Sequence, residues 1–382
     1  MGLGVLAVVV MAAAGFAYLH SDLTVRTTSS VGAPSPSPLL ATLNAVSYDF
    51  VTPSIGWAAE DLNTPTNLAG GFAVFKTTDG AKHWQKQLQL DSSVIGFLPL
   101  SLQFVDQENG FVAVGDPFEL LTRTADGGAS WESNPLPARS SRVDGIAFSS
   151  WRSGWLLVGG PAPTMYATND AGGTWQRLPD PPRDASGLSY RSPNEAWMGS
   201  AGISLTPPHV YLSRDGGQTW NTVDLPPPAG SSSSTVHNVP ASVELPPLNG
   251  VVVHIPPVDE PVAVAFTRTL TSFDQGATWR DVPPPPGVIA YQDGVHWWAM
   301  RGTALYKSSD AGQSWVTVTD ALPDLRYIPH VLDSRHAWAL TIVAGGYGLA
   351  LTSDGGLHWT QANVPQPQYH GVEGRLPDAH SA

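Results

Sequence analysis

Over residues 44–364 the apolar positions come in short runs, each closed by a polar turn rich in Gly or Pro. Ala73-Val74-Phe75-Lys76-Thr77 is one such run and Gly110-Phe111-Val112-Ala113-Val114 another. β-Branched and aromatic residues suit a pleated strand, and runs of this length bounded by turn residues read as strands. No apolar stripe of helical period is sustained across this region, and many of its connections are too Pro-rich for a helix.

The turns repeat. A Ser or Thr is followed two residues later by Asp, then by Gly, and by Trp five residues after the Asp. The copies are Asp79 with Trp84, Asp126 with Trp131, Asp170 with Trp175 and Asp215 with Trp220. Asp274 with Trp279, Asp310 with Trp315 and Asp354 with Trp359 complete a set of seven. A repeat at a near-constant period is the signature of a closed or stacked array and takes precedence over counting domains by length.

Each copy reads as a hairpin loop. The Asp carboxylate caps backbone N–H groups of the turn, Gly supplies a positive φ, and Trp opens the next strand and packs between sheets. Ala81 replaces Gly in the first copy, which predicts a strained turn there. A second element precedes each turn: Gly56-Trp57-Ala58, Gly110-Phe111-Val112, Gly154-Trp155-Leu156 and Ala196-Trp197-Met198, then Gly250-Val251-Val252, Trp297-Trp298-Ala299 and Ala337-Trp338-Ala339. The fifth copy lacks the aromatic.

Each period therefore holds four strands, placed in the second unit at 100–105, 110–114, 120–124 and 131–134. A lone four-stranded sheet cannot bury both faces, whereas seven packed radially bury each against two neighbours. The predicted fold is all-β: a seven-bladed β-propeller of four-stranded antiparallel blades, preceded by an N-terminal hydrophobic helix.

The Asp motif resembles the Asp-box, or bacterial neuraminidase repeat, found in sialidases, two-propeller xyloglucanases and sortilin-like receptors. With Gly-Trp-Ala ahead of Thr-x-Asp-Gly-Gly-x-x-Trp, residues 44–364 are more similar to the photosystem II stability and assembly factor propellers. That resemblance implies a non-catalytic scaffold outside the membrane, involved in photosynthesis or membrane-complex assembly, whose surface binds a protein or peptide partner. The family's basic surface patch has no obvious match here. Arg139, Arg142, Arg152 and Arg191 fall in the third and fourth units without forming a motif.

Residues 3–19 read LGVLAVVVMAAAGFAYL, long enough for a minimal membrane span and compatible with a signal peptide. Both readings place the protein outside the cytoplasm, anchored or secreted. Residues 20–43 form a Ser/Thr/Pro-rich linker and 365–382 a polar tail. A net charge of −13 with no Lys/Arg cluster excludes nucleic acid as a partner, and the absence of Cys excludes disulfides and thiolate sites. The expected state is a monomer that meets the membrane through its N-terminal segment only.

The seven Asp-box acids are the most conspicuous carboxylates, but a catalytic acid is not repeated once per blade, so they are assigned to turn capping. His83 and His358 stand at the Thr position of two boxes. His254, with Asp259 and Glu260, is placed in a Pro-rich loop of the fifth unit, where a metal site would be conceivable. No HExxH, phosphate loop or nucleophile elbow is present. A sialidase would require an Arg-Ile-Pro segment and an Arg in the first blade; Arg26 is the only Arg before Arg123. No catalytic, cofactor-binding or metal residue is assigned and no cofactor is expected. The alternative is a sialidase-like or other glycan-active or glycan-binding propeller. Binding is expected on the loops between second and third strands and on those joining blades, where length varies most.

Overall fold

The computed structural model describes residues 46–62, 71–90, 100–114, 120–137, 143–158, 163–202, 207–227, 240–255, 268–322, 325, 329–343 and 346–364. The N-terminal segment, the linker and the tail lie outside them. Every described strand belongs to one of seven four-stranded sheets, and in each sheet the strands are neighbours in sequence order. All pairs are antiparallel, as Leu100↔Val114 and Leu121↔Asn134 illustrate in the second sheet. That sheet runs Leu100–Phe104, Gly110–Val114, Leu120–Thr124 and Glu132–Pro135, within one residue of the sequence reading.

First strands of successive blades touch one another, as those beginning at Val46 and Leu100 do, and so line the centre of the ring. Second strands are buried along their length: every residue of Gly154–Val158 and of Ala196–Ser200 is buried. Fourth strands form the exposed outer edge, as in Gln85–Leu90. The hairpins joining strands 1–2 and 3–4 lie on one face of the ring; the strand 2–3 loops and the blade-joining loops lie on the other.

The apolar core is divided into seven clusters, one at each joint between blades. Their construction repeats. The second-strand aromatic of one blade meets the end of the next blade's first strand: Trp57 stacks on Phe104 at 3.5 Å, Phe111 on Phe148 at 3.5 Å and Trp155 on Tyr190 at 5.8 Å. Such pairs add about 0.5–1.5 kcal/mol beyond the area they bury. The Asp-box Trp of the second blade then lies edge-on to Phe104 at 6.2 Å. The deepest tryptophans are therefore Trp57, Trp155, Trp197, Trp297 and Trp298, while Asp-box tryptophans such as Trp131 are half-buried.

The fifth blade departs from the motif alignment made on sequence. Val251 pairs with Ser272 as Gly56 pairs with Thr77, so Val252, not Val251, occupies the aromatic's place. Gly250, at φ +85°, belongs to the preceding turn. The volume lost at Val252 is recovered by the next blade. Trp297 stands where five of the other blades carry Gly or Ala and the fifth blade carries Val251, fully buried against Val252, Val282 and Ile289.

Among the described residues no strand is exchanged between the first and last blades, and side chains join them. Trp338 packs on Tyr48 and Phe50, Trp84 Nε1 donates to the Asn363 carbonyl at 2.9 Å, and Asn363 Nδ2 donates to the Lys82 carbonyl at 2.7 Å.

Candidate functional site

The seven Asp-boxes form one construction. The Ser or Thr two residues before the Asp donates its hydroxyl to Asp Oδ1, from Thr124 to Asp126 at 2.8 Å and from Ser308 to Asp310 at 2.8 Å. The same hydroxyl accepts the N–H two residues after the Asp, as from Gly128 at 2.8 Å. Asp Oδ1 also accepts the N–H four residues on, and Oδ2 accepts that residue's side chain, as from Ser130 at 2.9 and 2.5 Å. His83 and His358 fill this last role, as read from sequence, through Nδ1 at 2.6 and 2.7 Å. The side-chain bond from Ser130, then its N–H, hold Asp126 down at about 2, and Asp274 and Asp354 are held there by equivalent donors. These carboxylates are ionised turn acceptors.

The two residues after each Asp both take positive φ, including Ala171, Gln275 and Ala311 at the first position. At the second position the chain presses on a neighbouring blade. A Cβ on Gly312 would lie 2.8 Å from Val282 Cγ1 of the fifth blade, and one on Gly356 2.3 Å from Leu305 Cδ2 of the sixth. Ala81 holds the strained conformation expected of it, φ +64°, and its buried methyl packs into the ring-closing cluster with Trp338 and Leu349.

Two polar clusters lie inside the blades, and sequence reasoning missed both. In the fourth, at the loop-face end, Tyr211 donates its hydroxyl to Asp184 and contacts His209 Nε2 at 2.8 Å, while His209 Nδ1 lies 2.8 Å from the Pro207 carbonyl. Burial, then the Asp184 bond and charge, push the Tyr211 phenol well above its ordinary range. In the fifth, His254 is not on a loop: it sits on the second strand Val251–Ile255, 2% exposed. Its Nε2 meets Glu244 at 3.2 Å and Tyr291 of the sixth blade at 3.1 Å, and Nδ1 meets Thr269 at 3.2 Å. Burial raises Glu244, but the charge and hydrogen bonds of His254 and Tyr291 outweigh it and leave the carboxyl below its usual value. The misplacement arose because the Pro residues that follow His254 belong to the loop, while the residue itself closes a Val-rich strand. Asp259 and Glu260 lie outside the described residues.

Inner strands carry a third set of contacts. Asp49 accepts the Phe104 N–H at 2.6 Å, Gln103 bonds both backbone groups of Phe148, and Ser189 donates to the Val243 carbonyl at 2.9 Å. Each side chain reaches from one blade's first strand to the next; at the joint of the fourth and fifth blades the backbones of Ser200 and Ala241 are bridged as well. Of the Arg residues singled out, Arg152 stacks over exposed Trp151 at 4.2 Å, whereas Arg191 is bound to Glu195 and to the Gly250 carbonyl. Both stand in strand 1–2 hairpins, of the third and fourth blades, while Arg139 and Arg142 lie outside the described residues. Most of the expected binding loops do so as well, including 63–70, 115–119, 203–206, 228–239 and 256–267. Among the described residues no group of three His, Asp or Glu could hold a metal ion.

These features define a seven-bladed Asp-box propeller. Residues 81–223 match the family model of the photosynthesis system II assembly factor YCF48. No curated protein matches the chain. Among solved structures, YCF48 bound to a D1 peptide is 18% identical with a TM-score of 0.50, over 86% of this chain and 95% of its own. YCF48 from Cyanidioschyzon merolae is 18% identical with a TM-score of 0.47, over 66% and 81%. A Mycobacterium tuberculosis puromycin-hydrolysing peptidase reaches 0.55 at 15% identity, over 87% of this chain and 56% of its own. At such identities the structural likeness is one of fold. The family match agrees with the motifs: the chain is a β-propeller similar to the photosystem II assembly factors.

Proposed function

We propose that this protein is a non-catalytic scaffold outside the cytoplasm that binds a peptide segment of a membrane-protein subunit while its complex is assembled. One observation carries the reading: repeats that match the assembly-factor family hold their conspicuous acids in their own turns, leaving a rigid ring with variable loops on one face. Rigid frames with uneven loops favour recognition, because the ordering cost is already met before the partner arrives. The peptide bound by YCF48 in the similar structure supports the partner class.

The test is crosslinking of the full chain in its native membranes, followed by mass spectrometry. Crosslinks to extracytoplasmic segments of one membrane-complex subunit are expected. Recovery of the chain free of any such partner, or hydrolysis of sialosides or β-glucans by the purified protein, would overturn the reading.

A further inference from the structure

Six of the seven strand 1–2 hairpins turn through five residues and close in one way. The second turn residue accepts the N–H of the fifth on a side-chain oxygen. Thr52 does so for Ile55 at 2.9 Å, Asp106 for Asn109 at 2.7 Å, Ser150 for Ser153 at 3.0 Å and Ser192 for Glu195 at 3.0 Å. Asp293 and Asp333 serve His296 and His336 at 2.8 Å each. The first turn residue adds a backbone bond, as from the Val105 N–H to the Asn109 carbonyl at 3.0 Å. In the fifth blade Glu244 pairs with Val252, which makes 246–250 the equivalent turn, and its sequence is Pro-Pro-Leu-Asn-Gly. Both bonds are lost there: Pro246 has no N–H to give and Pro247 no side-chain oxygen to accept one. Gly250, the fifth residue, is left with an N–H that has no acceptor among the described residues.

The turn that results is strained and open. The Asn249 N–H closes a three-residue turn on the Pro247 carbonyl at 2.9 Å, around Leu248 at φ +71°. Turns of that size with positive φ are rare and strained, and a bulky side chain seldom occupies that region. Leu248 gains no packing in return, being 67% exposed. Asn249 is exposed beside it, and its carboxamide has no hydrogen bond among the described residues. Gly250 follows at φ +85°. With no side chain on Gly250, nothing of its own shields its N–H from the Asn249 carboxamide.

We propose that Asn249 and Gly250 form a self-modification site, at which the exposed carboxamide becomes a carboxylate without an enzyme. Hydroxide takes the proton of the Gly250 N–H, the nitrogen attacks Asn249 Cγ, and Nδ2 takes a proton from water and leaves as ammonia. Water then opens the cyclic imide at either carbonyl. Opening at the main-chain carbonyl gives isoaspartate, with Cβ inserted into the backbone; opening at Cγ gives aspartate. The sum is amide plus water to acid plus ammonia. Asn109-Gly110 is the same dipeptide in a closed turn. The Asn109 carboxamide donates to both oxygens of Asp106 at 3.0 and 2.9 Å, and Gly110 is buried at the start of a strand. The Asp-Gly pairs of the Asp-boxes, such as Asp126-Gly127, are guarded as well, because an ionised carboxylate held by hydrogen bonds resists attack. The open turn also joins three blades. The Gly250 carbonyl accepts from Arg191 of the fourth, and Asn249 lies against Gly294 of the sixth, where a Cβ would stand 2.0 Å from Asn249 Oδ1. The new charge and the lengthened backbone therefore fall on both joints of the fifth blade.

The test is incubation of the folded full chain at pH 8.5, with mass spectrometry of its proteolytic peptides over time. Residue 249 is expected to acquire the mass of the acid about ten times faster than residue 109, or more. In the urea-denatured chain, where neither turn exists, the two sites should react within about a factor of three of each other. Pro247→Ser restores the acceptor that Ser150 and Ser192 supply in their own turns. It should slow the loss of Asn249 about fivefold or more in the folded chain and leave the rate in urea unchanged. Equal rates at residues 109 and 249 in the folded chain would overturn the proposal, as would an Asn249 that stays intact there while the denatured chain reacts. A tenfold preference that persists in urea, or a Pro247→Ser chain that reacts as fast as the natural one, would remove the open turn as its cause and overturn it equally.

Discussion

The side-chain amide of Gln103 bridges two blades by bonding both backbone groups of Phe148, its Nε2 donating to the carbonyl at 2.8 Å and its Oε1 accepting the N–H at 2.9 Å. Gln103 is 4% exposed, so neither backbone group has water to fall back on. Gln103→Ala should cost about 2–4 kcal/mol, since it leaves a buried donor and a buried acceptor unpaired. Gln103→Glu can satisfy the N–H but cannot, when ionised, donate to the carbonyl, and should also destabilise. Urea unfolding of both variants checks this; a loss below about 0.5 kcal/mol for Gln103→Ala would remove the bridge from the account.

The Asp-box hydroxyl serves two partners at once. Thr168 donates to Asp170 and accepts the Gly172 N–H at 2.9 Å, in a buried position. Thr168→Val keeps the shape and removes both bonds, with an expected loss of about 1–3 kcal/mol. Hydrogen exchange at the Gly172 amide should quicken by more than the global stability change accounts for.

Gly312→Ala should be worse tolerated than its size suggests. Its φ is +80°, and the added carbon would stand 2.8 Å from Val282 Cγ1 as well as close to the Trp297 ring. A loss of about 2–4 kcal/mol is expected from overpacking and backbone strain together. Ala81→Gly makes the reverse change at the ring closure. Relief of strain and loss of a packed methyl oppose each other there, and the net effect should stay within about 1 kcal/mol. Thermal unfolding of the two variants should separate them clearly.

The first blade makes the protein sensitive to alkali. Burial raises Glu60 from 4.5 to about 8, and its Oε1 has no hydrogen-bond partner. Burial likewise raises Asp49 from 3.8 to about 7, against the pull of the Phe104 N–H. The native state thus keeps protons that the unfolded chain has already released, so the contribution of these two groups to stability falls as pH rises from about 4 to about 8 and is constant below that window. Glu60→Gln should match the natural chain near pH 4 and exceed it near pH 9 by on the order of 2 kcal/mol. Melting temperatures recorded across this range would contradict the assignment if the two curves stayed parallel.

Much of the architecture was legible in sequence because its determinants are local. An Asp-box closes its own hairpin with bonds spanning no more than four residues, so seven copies of the motif announce seven hairpins and, by their spacing, four strands per blade. Reading the acids as caps rather than catalysts followed from the same repetition. His83 and His358 were recognisable as turn residues because they replace Thr at a fixed offset.

What sequence could not decide lies in contacts between blades, whose partners are about one period apart and follow no local pattern. The exchange of bulk between Val252 and Trp297, the reach of Gln103 to Phe148, and the placing of His254 against Tyr291 depend on which side of a strand faces which neighbour. A shift of one residue reverses that side, and only strand register fixes it. Trp84 and Asn363 meet for a related reason: they stand far apart along the chain, and the ring closes by packing its last blade on its first. Sequence alone set the number of blades and the chemistry of each turn; the closed ring decided which turns share a surface.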